Sequence, residues 1–355
     1  MFRYLLFLLG IILALPILAI LALALGLPVT ISGIGYMLGC ALAAAGLILA
    51  PWAGRNSTWV TIIGIAVLAL VASLRLIFAW QETTPNIRMI ALPQNRDTRW
   101  INTLVEEQDS LIVGEALFHL IGGDSPTEHT GIAAALHADY SEIRPTQRVF
   151  SSPFVSTYLN LQRANHFDVV IVKPEIHHPP EFALVFLHGY MGNVTAQCWE
   201  IAQAVKSFDA VTVCPSTDWK GDWWKPQGQA ILQPTFEYLR KQGIQKFYLA
   251  GFSNGGISIG RLASHLKDEN GLIGLILIDG FDNGAGIREL GLPVLILEGL
   301  QDERIPPTYA RQVAEEIGNL GTYVELNGDH FLIMKQPAAV QNAITKWLET
   351  QEFKQ

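Results

Sequence analysis

No aspartate or glutamate occurs before Glu82 in this 355-residue chain, and Arg3, Arg55 and Arg75 are the only charged side chains ahead of it. An average soluble domain is about a quarter charged, so this stretch does not read as a water-facing domain. All 32 acidic residues lie in 81–355, against the 21 basic residues left once those three arginines are set aside from 24. The remainder is therefore acidic by eleven charges and carries no basic stripe, which argues against a nucleic-acid partner. Cysteine is scarce as well. Cys40 falls in an apolar run, Cys198 on an expected helix and Cys214 at the end of an apolar strand. Three such scattered cysteines suggest no disulfide framework and say little about compartment. Nor is there a Cys/His metal spacing. His119, His129 and His137 are separated by ten and eight residues, which does not place them on one helical face. No metal and no cofactor is expected.

What this opening stretch has is length without charge. Tyr4–Leu25, Ile31–Ala50 and Trp59–Trp80 are apolar runs of about 20 residues, enough at 1.5 Å per residue for a hydrocarbon layer of roughly 30 Å. Ala22-Leu23-Ala24 resembles a signal-peptide cleavage site, but the run is too long for one and two more follow. Three transmembrane helices are expected, over about 4–25, 31–50 and 59–80, within a membrane domain 1–81. Gly35 and Gly39, four apart and followed by Ala43, offer a small-residue face for close packing in the chain or against an oligomeric or complex partner. Trp52, Trp59 and Trp80 stand near span ends, as interfacial anchors do. Arg3 and Arg55 draw the N-terminus and the second loop to the cytoplasm, whereas Arg75 and Arg88 pull the other way. The balance leans to an extracytoplasmic position for the rest of the chain.

The most informative motif is Gly251-Phe252-Ser253-Asn254-Gly255. Before it, Lys246–Ala250 reads as a buried strand; after it, Gly256–Leu266 reads as a helix with Ile257, Ile259 and Leu262 inward. Between a strand and a helix, this pattern makes a turn so tight that side chains beside the serine would clash, and the Ser253 hydroxyl is pushed outward. A serine nucleophile needs a base held by a carboxylate. Downstream, the strand Pro293–Glu298 runs into a loop with Asp302, which competes for the acid position with Glu303, Asp279 and Asp282. His330, after the expected last strand Thr322–Asn327, is the only histidine beyond residue 265. Upstream, the strand Phe182–Leu187 ends in His188-Gly189-Tyr190-Met191-Gly192. Such a loop can supply one oxyanion-hole N–H, from Tyr190 or Met191, with Asn254 giving the other. His188 is expected to brace this loop.

With these landmarks in this order, residues 166–355 resemble an α/β-hydrolase. The resemblance implies an α/β fold with a mostly parallel, doubly wound sheet. It also implies Ser253 as nucleophile, His330 as base and Asp302 as orienting acid. Only the short stretch Gly280–Leu292 separates Leu275–Asp279 from Pro293, so a lid inserted there would be missing or very small.

Between membrane and hydrolase, residues 82–165 form a linker and a mainly helical segment. Asn86–Arg96 is expected as linker with Pro85 and Pro93, Thr98–Ile121 as a helix, and Pro126 to about Ala138 as a second one. Gln147–Leu161 is expected as an outer strand or loop. Ser125-Pro126-Thr127-Glu128 is a capping box rather than a second nucleophile. This segment is a candidate cover for the Ser253 pocket, the alternative being a spacer on the sheet's edge. Trp219, Trp223 and Trp224 crowd the loop after Ala210–Pro215 and are candidate pocket residues, or packing. Together these features predict a membrane-anchored serine hydrolase, esterase- or lipase-like, cleaving a carboxylic ester or thioester, with lipid among the candidate acyl substrates. A peptidase of the same fold and a non-catalytic subunit of a membrane complex are the alternatives.

Overall fold

The computed structural model describes residues 2–24, 26–81, 86–143, 151–174 and 180–352. They divide into two compact units, one built on the long apolar helices with 103–137, the other on 86–102, 138–143 and 152–352.

The first unit opens with α1 (Phe2–Ala24), α2 (Ile31–Ala53) and α3 (Arg55–Gln81). All three are long and apolar enough to cross a membrane, over Arg3–Ala22, Ile31–Ala53 and Arg55–Ala79. Leu8, Ile12, Leu18, Ile63 and Leu70 stand exposed on them, a surface suited to lipid rather than water. The glycine stripe faces α3. A Cβ on Gly39 would lie 2.7 Å from a Leu68 methyl, and one on Gly64 would lie 2.4 Å from the Ala43 nitrogen. Small residues here let two backbones touch. Trp52 and Trp59 are exposed, while the Trp80 side chain lies outside the described residues.

Expected as one helix, Thr98–Ile121 is instead a 3-10 turn at Trp100–Thr103 followed by α4 (Glu107–Leu120). The Asn102 side chain accepts from Ser156 N and its carbonyl accepts from Ser152 N; side-chain and loop bonds of this kind compete with helix continuation. α4 is tied to the membrane helices through polar bonds. Thr30, the N-cap of α2, donates its N–H to Asp109 at 2.7 Å and its hydroxyl at 2.5 Å. Arg75 is buried, donating to Thr103 O at 2.7 Å and pairing with Glu106. An arginine in such a position is tolerable only when paired. The second expected helix is broken at Gly131, φ +85°, into α5 (Pro126–His129) and α6 (Ile132–Ile143); left-handed glycine is a common helix stop. Ser125 forms the capping box, accepting from Glu128 N at 3.3 Å while Glu128 Oε2 accepts from Ser125 N at 3.0 Å.

The second unit is a nine-stranded sheet: β1 (Ile87–Leu92), β2 (Arg96–Asp97), β3 (Phe167–Val172), β4 (Ala183–Leu187), β5 (Val211–Pro215), β6 (Phe247–Phe252), β7 (Leu272–Ile278), β8 (Val294–Gly299) and β9 (Gly321–Leu326). Their order is β2-β1-β3-β5-β4-β6-β7-β8-β9. β5 through β9 run parallel, while β3 is antiparallel to both of its neighbours. β4, β5, β6 and β8 are buried along their whole length, as expected for strands covered on both faces. Val185, Leu187, Leu249, Leu277 and Ile296 share one hydrophobic core with Trp223, Ile231, Phe236 and Ile259 from the covering segments.

Two sequence expectations are overturned here. Asn86–Arg96 is not a linker: it forms β1 and the start of β2, and β1 pairs with β3 over six residues, Ile87↔Val172 to Leu92↔Phe167. The Pro93-Gln94-Asn95 turn between them, with Asn95 at φ +53°, is what gave the stretch its linker-like composition. Pro85 lies outside the described residues. Cys198, on α8 (Thr195–Ala204), and Cys214, on β5, are joined in a disulfide, leaving only Cys40 free. Sixteen residues apart in sequence, they meet because α8 packs back onto the strand that follows it.

Candidate active site

Ser253 stands at the junction of β6 and α10 (Asn254–Leu266). Its backbone is held at φ +51°, ψ −120°, a region that a residue with a side chain rarely occupies and that is found where the surrounding fold enforces it. The enforcement is visible at Gly255, where a Cβ would come within 2.0 Å of Leu187 O at the end of β4. Only glycine lets α10 start so close to the sheet.

His330, just beyond β9, brings Nε2 to 2.8 Å from Ser253 Oγ, and its Nδ1 lies 2.7 Å from Asp302 Oδ2. Asp302 is buried in the loop after β8, and its other oxygen, Oδ1, accepts from Arg304 N at 2.7 Å and Ile305 N at 2.9 Å. The loop therefore fixes the carboxylate before it meets the imidazole. Of the competing acids, Asp282 pairs with Arg261 and Glu303 is exposed. Asp279 is fully buried, with Oδ1 accepting from Gly299 N at 3.0 Å. The structure brings Ser253, His330 and Asp302 into one hydrogen-bonded line, with the imidazole in a position to take a proton from the hydroxyl.

Asp279 and Glu298 crowd Asp302 from behind, all three being buried. Burial, then repulsion from Asp302, pushes the Glu298 carboxyl up to about 9, and burial, then Glu298, pushes Asp279 well above the usual carboxylate range. Both Glu298 oxygens and Asp279 Oδ2 meet no donor among the described residues. Three close carboxyls cannot all be ionised in this setting, and Glu298, at about 9, carries its proton at neutral pH.

The loop from β4 lies directly against the serine. A Cβ on Gly189 would be 2.9 Å from Ser253 Cβ and 3.2 Å from Asn254 N. Met191 follows at φ +77° and Gly192 at φ +85°. The Asn254 side chain is drawn away, donating to Lys220 O at 2.8 Å and Asp222 Oδ1 at 2.9 Å. Its backbone N–H belongs to the first turn of α10, whose amides lack intrahelical partners. His188 is fully buried and braces the loop: Nδ1 donates to Gly189 O at 2.9 Å, and Nε2 accepts from Thr217 N at 3.2 Å. Burial pulls its pKa down to about 4, so the ring is neutral.

The three tryptophans separate. Trp223 is fully buried and donates Nε1–H to His188 O at 3.0 Å. Trp224 carries the Arg261 guanidinium over its ring at 4.3 Å. Trp219 is exposed, edge-on to Tyr190 at 5.5 Å and stacked on Tyr158 at 6.3 Å. Tyr158 belongs to α7 (Phe154–Tyr158), a short helix where a strand or loop was expected; residues 147–150 of that expectation lie outside the described residues. Thr157 of the same helix sits under Gly192, where a Cβ would meet its methyl at 2.9 Å. Asp168 of β3 anchors this corner, accepting from Ser156 Oγ at 2.7 Å, Gln162 Nε2 at 3.0 Å and Arg99 Nη1 at 2.5 Å. No signal in the sequence pointed to Thr157 or Tyr158, because their placement depends on contacts with residues far along the chain.

No protein-family model matches the sequence, and no curated protein does. Among solved structures the chain is similar to Est1E from Butyrivibrio proteoclasticus, at 15% identity and a TM-score of 0.44 over 52% of this chain and 94% of that one. It is also similar to a predicted CIB-like hydrolase from Thermoplasma acidophilum, at 14% identity and 0.43 over 52% and 93%. A thermophilic esterase from Thermogutta terrifontis gives 15% and 0.41 over 52% and 94%. By its own strand order, its single antiparallel inner strand and the strained strand-to-helix corner at Ser253, the second unit has the α/β-hydrolase fold, and three long apolar helices precede it.

Proposed function

We propose that this protein is a membrane-anchored serine hydrolase that cleaves carboxylic esters or thioesters. The observation that carries this reading is the line Ser253–His330–Asp302, at 2.8 and 2.7 Å. Ser253 Oγ attacks the carbonyl carbon as His330 Nε2 takes its proton, and the carbonyl π pair moves onto oxygen. The backbone N–H groups of Asn254 and of Tyr190 or Met191 receive that oxyanion. Asp302, already held by two amides, stabilises the imidazolium. The proton passes to the leaving oxygen or sulfur, and water, deprotonated by the same imidazole, releases the acid from the acyl-enzyme.

Two observations favour an acyl group of some length, drawn from or near the bilayer. Tyr158, Trp219 and Tyr190 form an exposed aromatic group at the loop that follows β4. The β7–β8 connection holds only the five-residue helix Gly284–Arg288, so α7 supplies the wall that an inserted lid would otherwise form. The disulfide supports an extracytoplasmic hydrolase domain, since such bonds persist in oxidising compartments. Arg75, one of the two charges that favoured the opposite orientation, is taken up by Glu106.

The direct test is covalent labelling by a fluorophosphonate probe with p-nitrophenyl ester hydrolysis measured in parallel. Wild-type protein should label once, and Ser253→Ala should lose labelling and on the order of 10⁴ or more in turnover. A folded Ser253→Ala protein with undiminished activity would overturn the assignment.

A further inference from the structure

The first unit contains a cluster that the hydrolase chemistry does not use. The turn after α4, through Gly122 at φ +74°, folds the chain back so that α5 lies against the last turns of α4. His119 and His129, ten residues apart and not on one helical face, are thereby brought ring to ring: centroids 3.8 Å apart, planes 5° from parallel. The spacing was therefore a poor guide, because the two residues come from different helices. His137 stays apart, its Nδ1 lying 3.1 Å from Gln108 Nε2.

Two carboxylates converge on the paired rings. Asp124 Oδ1 is 2.8 Å from His119 Nδ1, and Asp124 Oδ2 is 3.9 Å from His129 Nδ1. Glu115 Oε1 is 2.5 Å from His129 Nδ1. The carboxylates are buried, with side-chain exposures of 2% for Asp124 and 6% for Glu115, whereas the rings are about one-third exposed. Glu115 Oε2 is buried and meets no donor among the described residues. Two adjacent buried acids with an orphaned oxygen call for positive charge.

We propose that His119, Asp124, His129 and Glu115 form a binding site for one divalent d-block cation, with Zn²⁺ the best fit. Two imidazole nitrogens with carboxylate oxygens are the donor set that suits Zn²⁺ and its neighbours rather than Mg²⁺ or Ca²⁺. The ligand atoms of His119, Asp124 and His129 already lie within 4.8 Å of one another. Bonds of about 2.0–2.2 Å to a common ion bring such atoms to within roughly 4 Å, so these three need to draw together by about an ångström, and Glu115 joins them from beside His129 Nδ1. The part-exposed rings must tilt out of their stack so that both Nδ1 lone pairs point at the ion, each neutral ring then carrying its one proton on Nε2. The bound ion would clamp the α4–α5 turn.

The test uses untagged full-length protein in detergent, stripped with a chelator and titrated with Co²⁺ and separately with Zn²⁺. One equivalent per chain is expected, with visible Co²⁺ ligand-field bands of a nitrogen-containing low-coordinate site, displaced by Zn²⁺ but not by Mg²⁺. His119→Gln combined with His129→Gln should weaken Zn²⁺ binding by at least the roughly 10–100-fold typical of losing even an outer partner. Fluorophosphonate labelling of Ser253 should be unchanged and so report folding. If that variant does not fold, Asp124→Asn serves in its place. Wild-type protein that binds Zn²⁺ no more tightly than the folded variant, or whose Co²⁺ spectrum is that of the hexa-aqua ion, overturns the site and leaves the hydrolase reading untouched.

Discussion

Removing the Cys198–Cys214 bridge tests both the fold and the compartment. Both sulfurs are fully buried, so alanine is the suitable replacement; serine would bury a hydroxyl. The bridge closes a loop of 16 residues. The chain-entropy relation assigns such a loop about 3 kcal/mol at 25 °C, from −2.1 − 1.5R ln n. For a domain of this size each kcal/mol moves Tm by about 2–4 °C. The Cys198→Ala/Cys214→Ala protein should therefore melt about 6–12 °C below wild type. Reductant should lower wild type to the same level and leave the variant unmoved. Alkylation after unfolding without reduction should modify one thiol, Cys40, and three after reduction. Three modified thiols before reduction in protein purified from its membrane would refute the bridge and remove the disulfide's support for an extracytoplasmic domain. An oxidised protein whose Tm ignores reductant would refute the magnitude.

Asp302→Asn should leave the protein folded but slow ester hydrolysis by about 10⁴, because the imidazole loses its tautomer and the support for its charge; a larger loss from Asp282→Asn would move the acid elsewhere. Glu298→Gln should keep most turnover near neutral pH, since the glutamate already carries its proton there. Its effect should appear in stability. A carboxyl whose folded pKa is raised binds more protons folded than unfolded, so its stabilising effect is present at low pH and lost as pH rises from about 5 to about 9. Tm of wild type should fall over that window, and more steeply than Tm of Glu298→Gln; identical slopes in thermal melts would count against the assignment. Glu200, pushed up to about 8 by burial and then Asp139, should act in the same direction. Tyr158→Ala and Trp219→Ala should raise KM for long-chain p-nitrophenyl esters by roughly tenfold with acetate esters little changed, as loss of an aromatic contact worth about 1–2 kcal/mol implies; equal effects on both chain lengths would place these rings outside the acyl pocket.

What was legible in the sequence was what depends on local pattern. Buried parallel strands read as continuous apolar runs, so β4, β5, β6, β7 and β8 lie within a few residues of expectation. Ser253 and Asp302 each follow such a strand and His330 follows the part-buried edge strand β9, and a strand's end predicts where its next loop emerges. The failures share a different character. β1 was hidden by Arg88 and by a proline turn, and is held by β3, a strand far downstream in the sequence. The disulfide pairs a helix with a strand, and no spacing rule covers that geometry. The His119–His129 pair depends on one left-handed glycine, and α7 depends on Asp168 gathering Ser156, Gln162 and Arg99 around a buried carboxylate. Contacts closed by a single turn or a single buried charge leave almost no trace in composition.

The costs in the second unit collect where its central strands β4, β6 and β7 end. Ser253, Asp279 and Met191 all have positive φ, at 51°, 45° and 77°, where a side chain is disfavoured by about 1–3 kcal/mol. Beside them Asp279 Oδ2 and both Glu298 oxygens are buried and meet no donor among the described residues, groups that a fold built for stability alone would replace with apolar ones. Each cost has a positional counterpart. The strain at Ser253 aims Oγ at His330, and that at Met191 turns the loop whose amides face the serine. Asp279, at the end of β7, accepts from Gly299 N at the end of β8, fixing the start of the loop that carries Asp302. Glu298, which carries its proton, adds no negative charge beside Asp302. A surrounding core of wholly buried strands makes this arrangement tolerable, and the same packed core holds His330 Nε2 at 2.8 Å from Ser253 Oγ.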